Sequence, residues 1–262
     1  MAGLWGAIDR STEAAHDAIA IAREIGDLQA ESDAEYCCAM ELWTGPPGDA
    51  RRSIERSIAL AERVEVEAGP PAGTHVALPI KHAILSVALV LDGEVGAAGA
   101  ARGLALAAAR REPYEWTLAW SAAFAMLSAA LADDSEAVLT MWAETADAAS
   151  GLPYTDALMQ ACRAWAEARR GGDASALHRA RERLAAAGDG LMQAPLAVLE
   201  AELLTASGAP GAASAVDEAR RIAERAGHVA WLPRVDRAAV GARAHRDQTA
   251  ANTRTGSGTP LS

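Results

Sequence analysis

Aromatic residues are scarce in this sequence: they make up 4% of the 262 residues, and seven of the eleven rings are tryptophan. β-branched residues are also sparse, which disfavours a β-sandwich or another sheet-centred fold. Alanine and leucine therefore supply much of the 51% apolar content, and both are strong helix formers. The composition predicts a globular, all-α protein.

Cysteine is rare as well. Two of the three cysteines are adjacent, Cys37 and Cys38, so the chain has no disulfide framework and we expect a reducing, cytoplasmic location. Residues 1–10 lack the basic and apolar regions of a signal peptide. The longest largely apolar run, residues 83–91, is too short to cross a bilayer, so no membrane association is expected.

Positive charge is also in short supply. The net charge of −11 argues against a nucleic-acid-binding surface, which needs a basic face. Lys81 is the only lysine and lies in Pro-Ile-Lys-His, outside any glycine loop, so no phosphate-binding loop is present. Gly93, Gly96 and Gly99 follow no predicted strand and do not form a dinucleotide fingerprint. We therefore expect no cofactor.

A short pattern repeats along the chain near the ends of predicted helices. It consists of a bulky apolar residue, an alanine and usually a charged residue, at a spacing of roughly 40 residues that is typical of two-helix solenoid units. The occurrences are Ile21-Ala22-Arg23, Leu60-Ala61-Glu62, Leu106-Ala107-Ala108, Trp142-Ala143-Glu144, Leu184-Ala185-Ala186 and Ile222-Ala223-Glu224. In the same phase, Pro113-Tyr114 recurs as Pro153-Tyr154. The two repeats predict an array of helical hairpins.

Clusters of glycine, proline and aspartate separate the predicted helices. In residues 45–49, 133–135 and 208–211, helix breakers precede candidate N-caps. Stacked hairpins bury a continuous core that no single hairpin can bury alone. We therefore predict an all-α, right-handed α-solenoid of about six antiparallel helix pairs.

Apolar spacing predicts which faces of the second helices are buried. Ile54, Ile58 and Ala61 share one face of an early helix. In the last unit the predicted buried face is formed by Ala215, Ala219, Ile222 and Ala226.

The helical repeat domain is predicted to span residues 1–244. We expect its first unit to be incomplete, because only residues 1–10 precede the first segment that has the pattern of the second helix of a hairpin. Residues 245–262 are small, polar and without periodicity, so we expect a disordered C-terminal tail.

Four segments resemble tetratricopeptide-like (TPR-like) helical arrays. They are residues 18–27 (AIAIAREIGD), 151–154 (GLPY), 185–189 (AAAGD) and 217–227 (DEARRIAERAG). The chain is most similar to the C-terminal repeat region of large bacterial multidomain regulators, namely ATPase-linked adenylate/guanylate cyclase relatives and AfsR- or LuxR-type transcriptional regulators. The resemblance covers roughly residues 11–242 and implies a TPR-like sensing or scaffolding segment. The catalytic and DNA-binding parts of those regulators lie elsewhere.

Few residues in the sequence suggest chemistry. His75 and His82 are two potential metal ligands without a third nearby, so no metal site is expected. We interpret Cys37, Cys38 and Cys162 as core residues.

Charged groups have structural interpretations too. The acidic pairs Asp133-Asp134 and Glu65/Glu67 suit helix ends, where carboxylates cap the backbone. The arginine runs, one at Arg179, Arg181 and Arg183 and one at Arg220, Arg221 and Arg225, suit a solvated outer face. No catalytic residue is assigned.

The aromatic residues of the first helices are the best candidates for binding. In helical solenoids those helices commonly line the concave surface, so their rings can form the floor of a groove. Packing in the core is the alternative role for tryptophan at helical spacing. The candidate groove residues are Tyr114, Trp116, Trp120, Tyr154 and Trp165.

Together these patterns predict a non-catalytic binding or regulatory module. Its partner would be a protein segment or a small-molecule effector, with no nucleic acid bound by this chain alone. Three alternatives stay open: a self-association scaffold that forms a homo-oligomer, a fragment of a larger regulator, and an α-helical enzyme. The enzyme would need convergent acids and histidines on the first helices, and the sequence shows none.

Overall fold

The computed structural model describes residues 8–42, 45, 47–68, 76–186 and 188–256, and every regular element in this part of the chain is a helix. Two short 3₁₀ helices, η1 (Ala39–Leu42) and η2 (Val229–Trp231), accompany the α-helices. The α-helices are α1 (Ile8–Ile25), α2 (Leu28–Cys38), α3 (Pro47–Ala68), α4 (Leu78–Leu91), α5 (Val95–Ala109), α6 (Glu115–Leu131), α7 (Ser135–Ala149), α8 (Pro153–Arg169), α9 (Ser175–Ala186), α10 (Gln193–Ala206), α11 (Ala212–Arg225) and α12 (Leu232–Gly256).

Two helices, α2 and α7, begin at an aspartate whose side chain caps the backbone. The Asp27 carboxylate accepts from the backbone N–H of Ala30 at 2.9 Å and caps α2. Asp134 accepts from Ala137 N–H at 3.0 Å and caps α7, as its position in an acidic pair predicted. Each bond satisfies a backbone donor that the first turn of a helix leaves without an intrahelical partner.

Helix ends use residues with positive φ. Gly93 (φ 85°) ends α4, and the Glu94 N–H returns to the Leu89 carbonyl at 2.8 Å. Asp133 (φ 60°) occupies the corresponding position after α6, and there the Asp134 N–H returns to Ala129 O at 2.9 Å. Aspartate tolerates this left-handed conformation better than most residues, although glycine adopts it without steric cost.

Helix packing follows chain order. Each helix packs against its neighbours in the chain, and α4, α6, α8 and α10 each also pack against the next even-numbered helix, of which α12 is the last. We call these five helices the even layer. The odd-numbered helices α5, α7, α9 and α11 each pack against the two even-numbered helices that flank them in the chain. From α4 onward, the even-numbered helices thus pack in series and the odd-numbered helices pack against them.

Most of the buried apolar side chains belong to one cluster. One continuous cluster of buried apolar side chains extends from Ala39 to Ala242, and a small second cluster around Ala15 and Ile19 joins α1 to α2. Cys38 and Cys162 are buried in these clusters, as predicted for core cysteines.

The repeated tripeptide lies in an odd-numbered helix at each of its occurrences. Its side chains do not share one environment: Leu184 is buried, whereas Ile21 is exposed. The pattern therefore marks helix position and does not mark a single conserved packing contact.

The predicted helix faces agree with the structure in one case and not in the other. Ile54, Ile58 and Ala61 are all buried. In α11 the buried residues are Ala212, Val216, Ala219 and Ala223. Of the predicted face, Ala219 is buried, Ala215 and Ile222 are partly buried against the core, and Ala226 is exposed, so the face as a whole was displaced by about one residue. The error arose because α11 is rich in alanine, and alanines at several registers make its apolar face ambiguous.

The C-terminal segment differs from the expected tail. Helix α12 continues to Gly256 and so includes the first part of the segment 245–262. Alanine at 250 and 251 favours helix, and the absence of apolar periodicity in a solvated last helix does not prevent its continuation. Residues 257–262 lie outside the described residues.

Candidate functional site

The five candidate aromatic residues lie on α6 and α8 in three different environments. Tyr114 (58% exposed) and Trp116 (39% exposed) lie at the start of α6. Trp120 and Tyr154 are half-buried and stack on each other, with ring centroids 5.3 Å apart. Trp165 on α8 is 2% exposed and belongs to the core. The structure thus brings two of the five rings into contact.

An aromatic series runs from the surface into the core along one side of α6. Trp116, Trp120 and Phe124 are spaced four residues apart, so they lie above one another on the helix. The Trp120 and Phe124 centroids are 5.8 Å apart, and Phe124 is buried. We call these three residues and Tyr154 the aromatic stripe. Its outer end presents an apolar ring to solvent beside a well-packed base.

Polar groups of other helices surround the inner end of the stripe. The Tyr154 hydroxyl oxygen is buried without a hydrogen-bond partner of ordinary geometry among the described residues. Burial, and next the negative charge of Asp189, raise the pKa of Tyr154. Tyr36 of α2 is close enough for its charge to act on Tyr154, and burial raises the pKa of Tyr36 as well. Both phenols therefore remain neutral donors at physiological pH.

Asp189 forms the polar edge of this region. Its carboxylate accepts from the backbone N–H groups of Leu191 and Met192 at 3.1 Å each, ahead of α10. Burial nevertheless raises the pKa of Asp189, against the opposing effect of those hydrogen bonds. The group is held in place by the backbone and is only slightly exposed.

A pocket lies where the even-numbered helices α6, α8 and α10 end. This even-layer pocket has a volume of about 230 Å³, and Trp165 forms part of its wall. Its lining residues come from the ends of α6, α8 and α10 and the start of α12: Ala130, Asp133, Trp165, Arg169, Glu202, Leu203, Ala206 and Arg234.

Ion pairs hold the charged rim of the even-layer pocket. Arg234 donates to both carboxylate oxygens of Glu202 at 2.9 and 2.7 Å, and also to the Leu131 carbonyl at 2.9 Å. It therefore satisfies a backbone acceptor that the end of α6 leaves without an intrahelical partner. Arg169 pairs with Asp133 at 2.6 Å. The pocket is electrically balanced, and α12 is tied directly to α6.

Sequence reasoning missed a buried polar cluster around Lys81. The Lys81 ammonium donates to Ser32 Oγ at 2.6 Å and to Asp33 Oδ1 at 3.2 Å. Ser32 Oγ donates to the Ser57 carbonyl at 2.7 Å, and Ser57 Oγ donates to the Ser32 carbonyl at 2.6 Å. Burial lowers the pKa of Lys81, and the Asp33 carboxylate partly opposes that effect.

A lysine beside a serine hydroxyl is an arrangement that can activate a nucleophile. Here Lys81, Ser32 and Ser57 have no solvent-exposed surface, so a substrate has no access to the hydroxyl in this conformation. The cluster joins α2, α3 and α4. Its sequence signal was the position of the only lysine within the apolar run that forms α4.

The next candidate residues are the histidines considered as metal ligands. Among the described residues, no group of three or more His, Cys, Asp or Glu side chains is arranged to hold a metal ion. His75 lies outside the described residues. His82 lies on α4, and burial lowers its pKa.

In the described part of the chain no helix is long and apolar enough to cross a membrane.

One arginine of the predicted solvated runs is not solvated. Arg181 is buried and pairs with Glu200 at 3.0 Å and Glu218 at 3.0 Å, so it links α9, α10 and α11. The charge pattern did not predict this burial, because the carboxylate partners of Arg181 lie 19 and 37 residues away in the chain. Arg179 is exposed and pairs locally with Asp173.

Comparison of the chain with protein-family models, curated proteins and solved structures finds no match.

Proposed function

We propose that the chain is a right-handed α-solenoid of TPR-like antiparallel helix pairs that acts as a non-catalytic, cytoplasmic binding module. Three features support this architecture: contacts that follow chain order, a core that runs along the array, and a repeated tripeptide in the odd-numbered helices. In such arrays each unit is stabilised by its neighbours, and the exposed face of one layer is available to a partner. The resemblance to bacterial multidomain regulators supports a role as the sensing or protein-interaction part of such a regulator.

The aromatic stripe is the observation that carries the binding role. Trp116 is exposed, but the rings beneath it are fixed by stacking and burial. Exposed tryptophan is typical of residues that dominate interface energy, and neighbouring rings that are already fixed need not be ordered on binding. Tyr114, exposed beside it, extends the apolar surface.

The proposed partner is an extended protein segment with an apolar anchor and basic residues. The anchor would cover the outer ring of the stripe. Glu112 and Glu115 are exposed next to Tyr114 and Trp116, and the whole chain has a net charge of −11. Complementary charge favours a basic partner and speeds its association.

The test is affinity capture with three forms of the full chain: wild type, Trp116→Ala and Leu104→Ala. Leu104 lies on α5, is 58% exposed and is outside the stripe, so Leu104→Ala is the matched control. Because both side chains are exposed, we expect all three forms to have the same melting temperature. Wild type and Leu104→Ala should retain a common protein that Trp116→Ala loses.

The affinity of the captured protein is then measured against all three forms. A loss of at least about tenfold in Trp116→Ala alone is the expected result. Equal affinity for the three forms, or retention of no common protein by wild type and the control, would contradict the proposal.

A further inference from the structure

The last helix departs from the acidic character of the chain. Residues 232–256 contain five arginines and two aspartates, which gives α12 a net charge of +3, whereas the whole chain has −11. Local charge of the opposite sign marks a surface suited to a different kind of ligand from the rest of the molecule.

Part of this positive charge lines a cleft between α11 and α12. The cleft has a volume of about 180 Å³. Three guanidinium groups border it: Arg220 from α11, and Arg243 and Arg246 from α12. Its floor is made of small apolar residues, and Asp217 is its single acidic residue: the remaining lining residues are Ala213, Val216, Asp217, Ala239 and Ala242.

The arginines of this cleft differ in how they are paired. Arg220 pairs with Asp236 at 2.5 Å, which fixes its position, and this hydrogen bond raises its pKa. Arg243 and Arg246 are exposed, and neither forms an ion pair with a carboxylate of the residues whose side chains the structure describes. They are three residues apart, so they lie on the same side of α12.

In two other clefts lined by described residues, the arginines are paired with carboxylates. In the even-layer pocket Arg169 pairs with Asp133, and Arg234 pairs with Glu202. In the groove between α5 and α7, Arg110 pairs with Glu144. The α11–α12 cleft thus combines unneutralised guanidinium groups with a concave, small-residue floor.

We infer that the α11–α12 cleft binds a phosphate monoester dianion. A tetrahedral phosphate presents three acceptor oxygens, which matches guanidinium donors that approach from two helices, whereas a carboxylate presents two oxygens to a single fork. The alanine floor allows the phosphate to approach the helices closely. Asp217 accepts a hydrogen bond from a hydroxyl or amine of the same ligand, which selects against a bare polyanion.

The volume limits the ligand to a phosphate group with a small body. Two sources provide that chemistry: a small phosphorylated metabolite and a phosphorylated side chain of a protein. The probes are inorganic phosphate, glycerol phosphate, a short phosphoserine peptide and the same peptide without phosphate. A single-stranded oligonucleotide represents non-specific phosphodiester binding.

Binding is measured on the full chain by isothermal titration calorimetry at two salt concentrations. We expect one of the two monoester probes to bind, inorganic phosphate to compete with it, and the unphosphorylated peptide not to bind. The double variant Arg243→Gln/Arg246→Gln should weaken binding by at least about tenfold, because two charge-assisted contacts are lost. Glycerol phosphate binding identifies a metabolite site, and binding of the phosphopeptide alone identifies a protein ligand.

Arg237→Gln is the matched control, since Arg237 is an exposed arginine of α12 that does not line the cleft. It removes one of the two charges that the double variant removes, at a position outside the cleft, and should leave binding within about twofold of wild type. Melting temperatures of the variants show that each one is folded. Absence of monoester binding, equal weakening by the control, or tighter binding of the oligonucleotide than of the monoester overturns the inference.

Discussion

Replacement of Trp231 tests whether the helices depend mainly on their neighbours. Trp231 is fully buried in η2, which packs against α10, α11 and α12. Truncation of a buried tryptophan to alanine costs about 3–5 kcal/mol. In a linear array this loss falls on the units in contact with the cavity, whereas in a single cooperative bundle it is shared by all helices.

Hydrogen–deuterium exchange distinguishes the two cases. At 1.4 kcal/mol per factor of ten, a loss of 3–5 kcal/mol makes exchange in α11 and the first half of α12 about 10²- to 10⁴-fold faster. Exchange in α4 should change by less than about threefold, because η2 packs mainly against α10, α11 and α12. The end of α6 should show an intermediate effect, since Arg234 of α12 donates to the Leu131 carbonyl.

Val229→Ala is the control for this experiment. Val229 lies in the same 3₁₀ helix but is half-exposed, so its truncation should leave exchange almost unchanged. Equal acceleration in α4 and α11 in Trp231→Ala would refute the nearest-neighbour reasoning. Unchanged exchange in α11 would refute the energetic role assigned to Trp231.

Two further predictions concern buried titratable groups. Lys81→Met should leave the free energy of unfolding unchanged or raise it by up to about 2 kcal/mol in a urea titration, because methionine fills the same space without the cost of a buried charge. A decrease of more than about 2 kcal/mol would show that the hydrogen bonds to Ser32 and Asp33 outweigh that cost. Burial lowers the pKa of His228 in the folded protein, so below about pH 6.5 this histidine binds a proton more readily in the unfolded chain. The free energy of unfolding should therefore fall by up to about 1.4 kcal/mol for each pH unit below that value. Above about pH 6.5 the effect is absent. His228→Gln should therefore reduce the pH dependence of the unfolding free energy between pH 7 and 5, and an identical slope in variant and wild type would contradict this account.

Local sequence signals predicted the helical architecture well. Capping by Asp134 and the buried face of Ile54 and Ile58 both depend on residues within a few positions of each other. The all-α class and the helix boundaries follow from such short-range chemistry. The TPR-like identity and the handedness of the array are longer-range properties and stay predictions.

The candidate site was less accessible to sequence reasoning. The spacing of Trp120 and Trp165 predicted that aromatic residues belong to the first helices, but it did not distinguish a half-buried ring from a core ring. The Lys81 cluster joins residues almost 50 positions apart, and the ion pairs of Arg181 cross three helices. Such contacts depend on how helices stack, which no local period specifies.

Because Lys81 is buried, chemical labelling of its side chain can follow the separation of the helices that surround it. Because this residue is the only lysine, an amine-reactive reagent has a single side-chain target, and that target has no exposed surface while α2, α3 and α4 are packed together. The rate of acylation at Lys81 therefore measures how often these three helices separate. A ligand that tightens the array would slow the labelling, so regulation of the fold can be followed without any introduced probe.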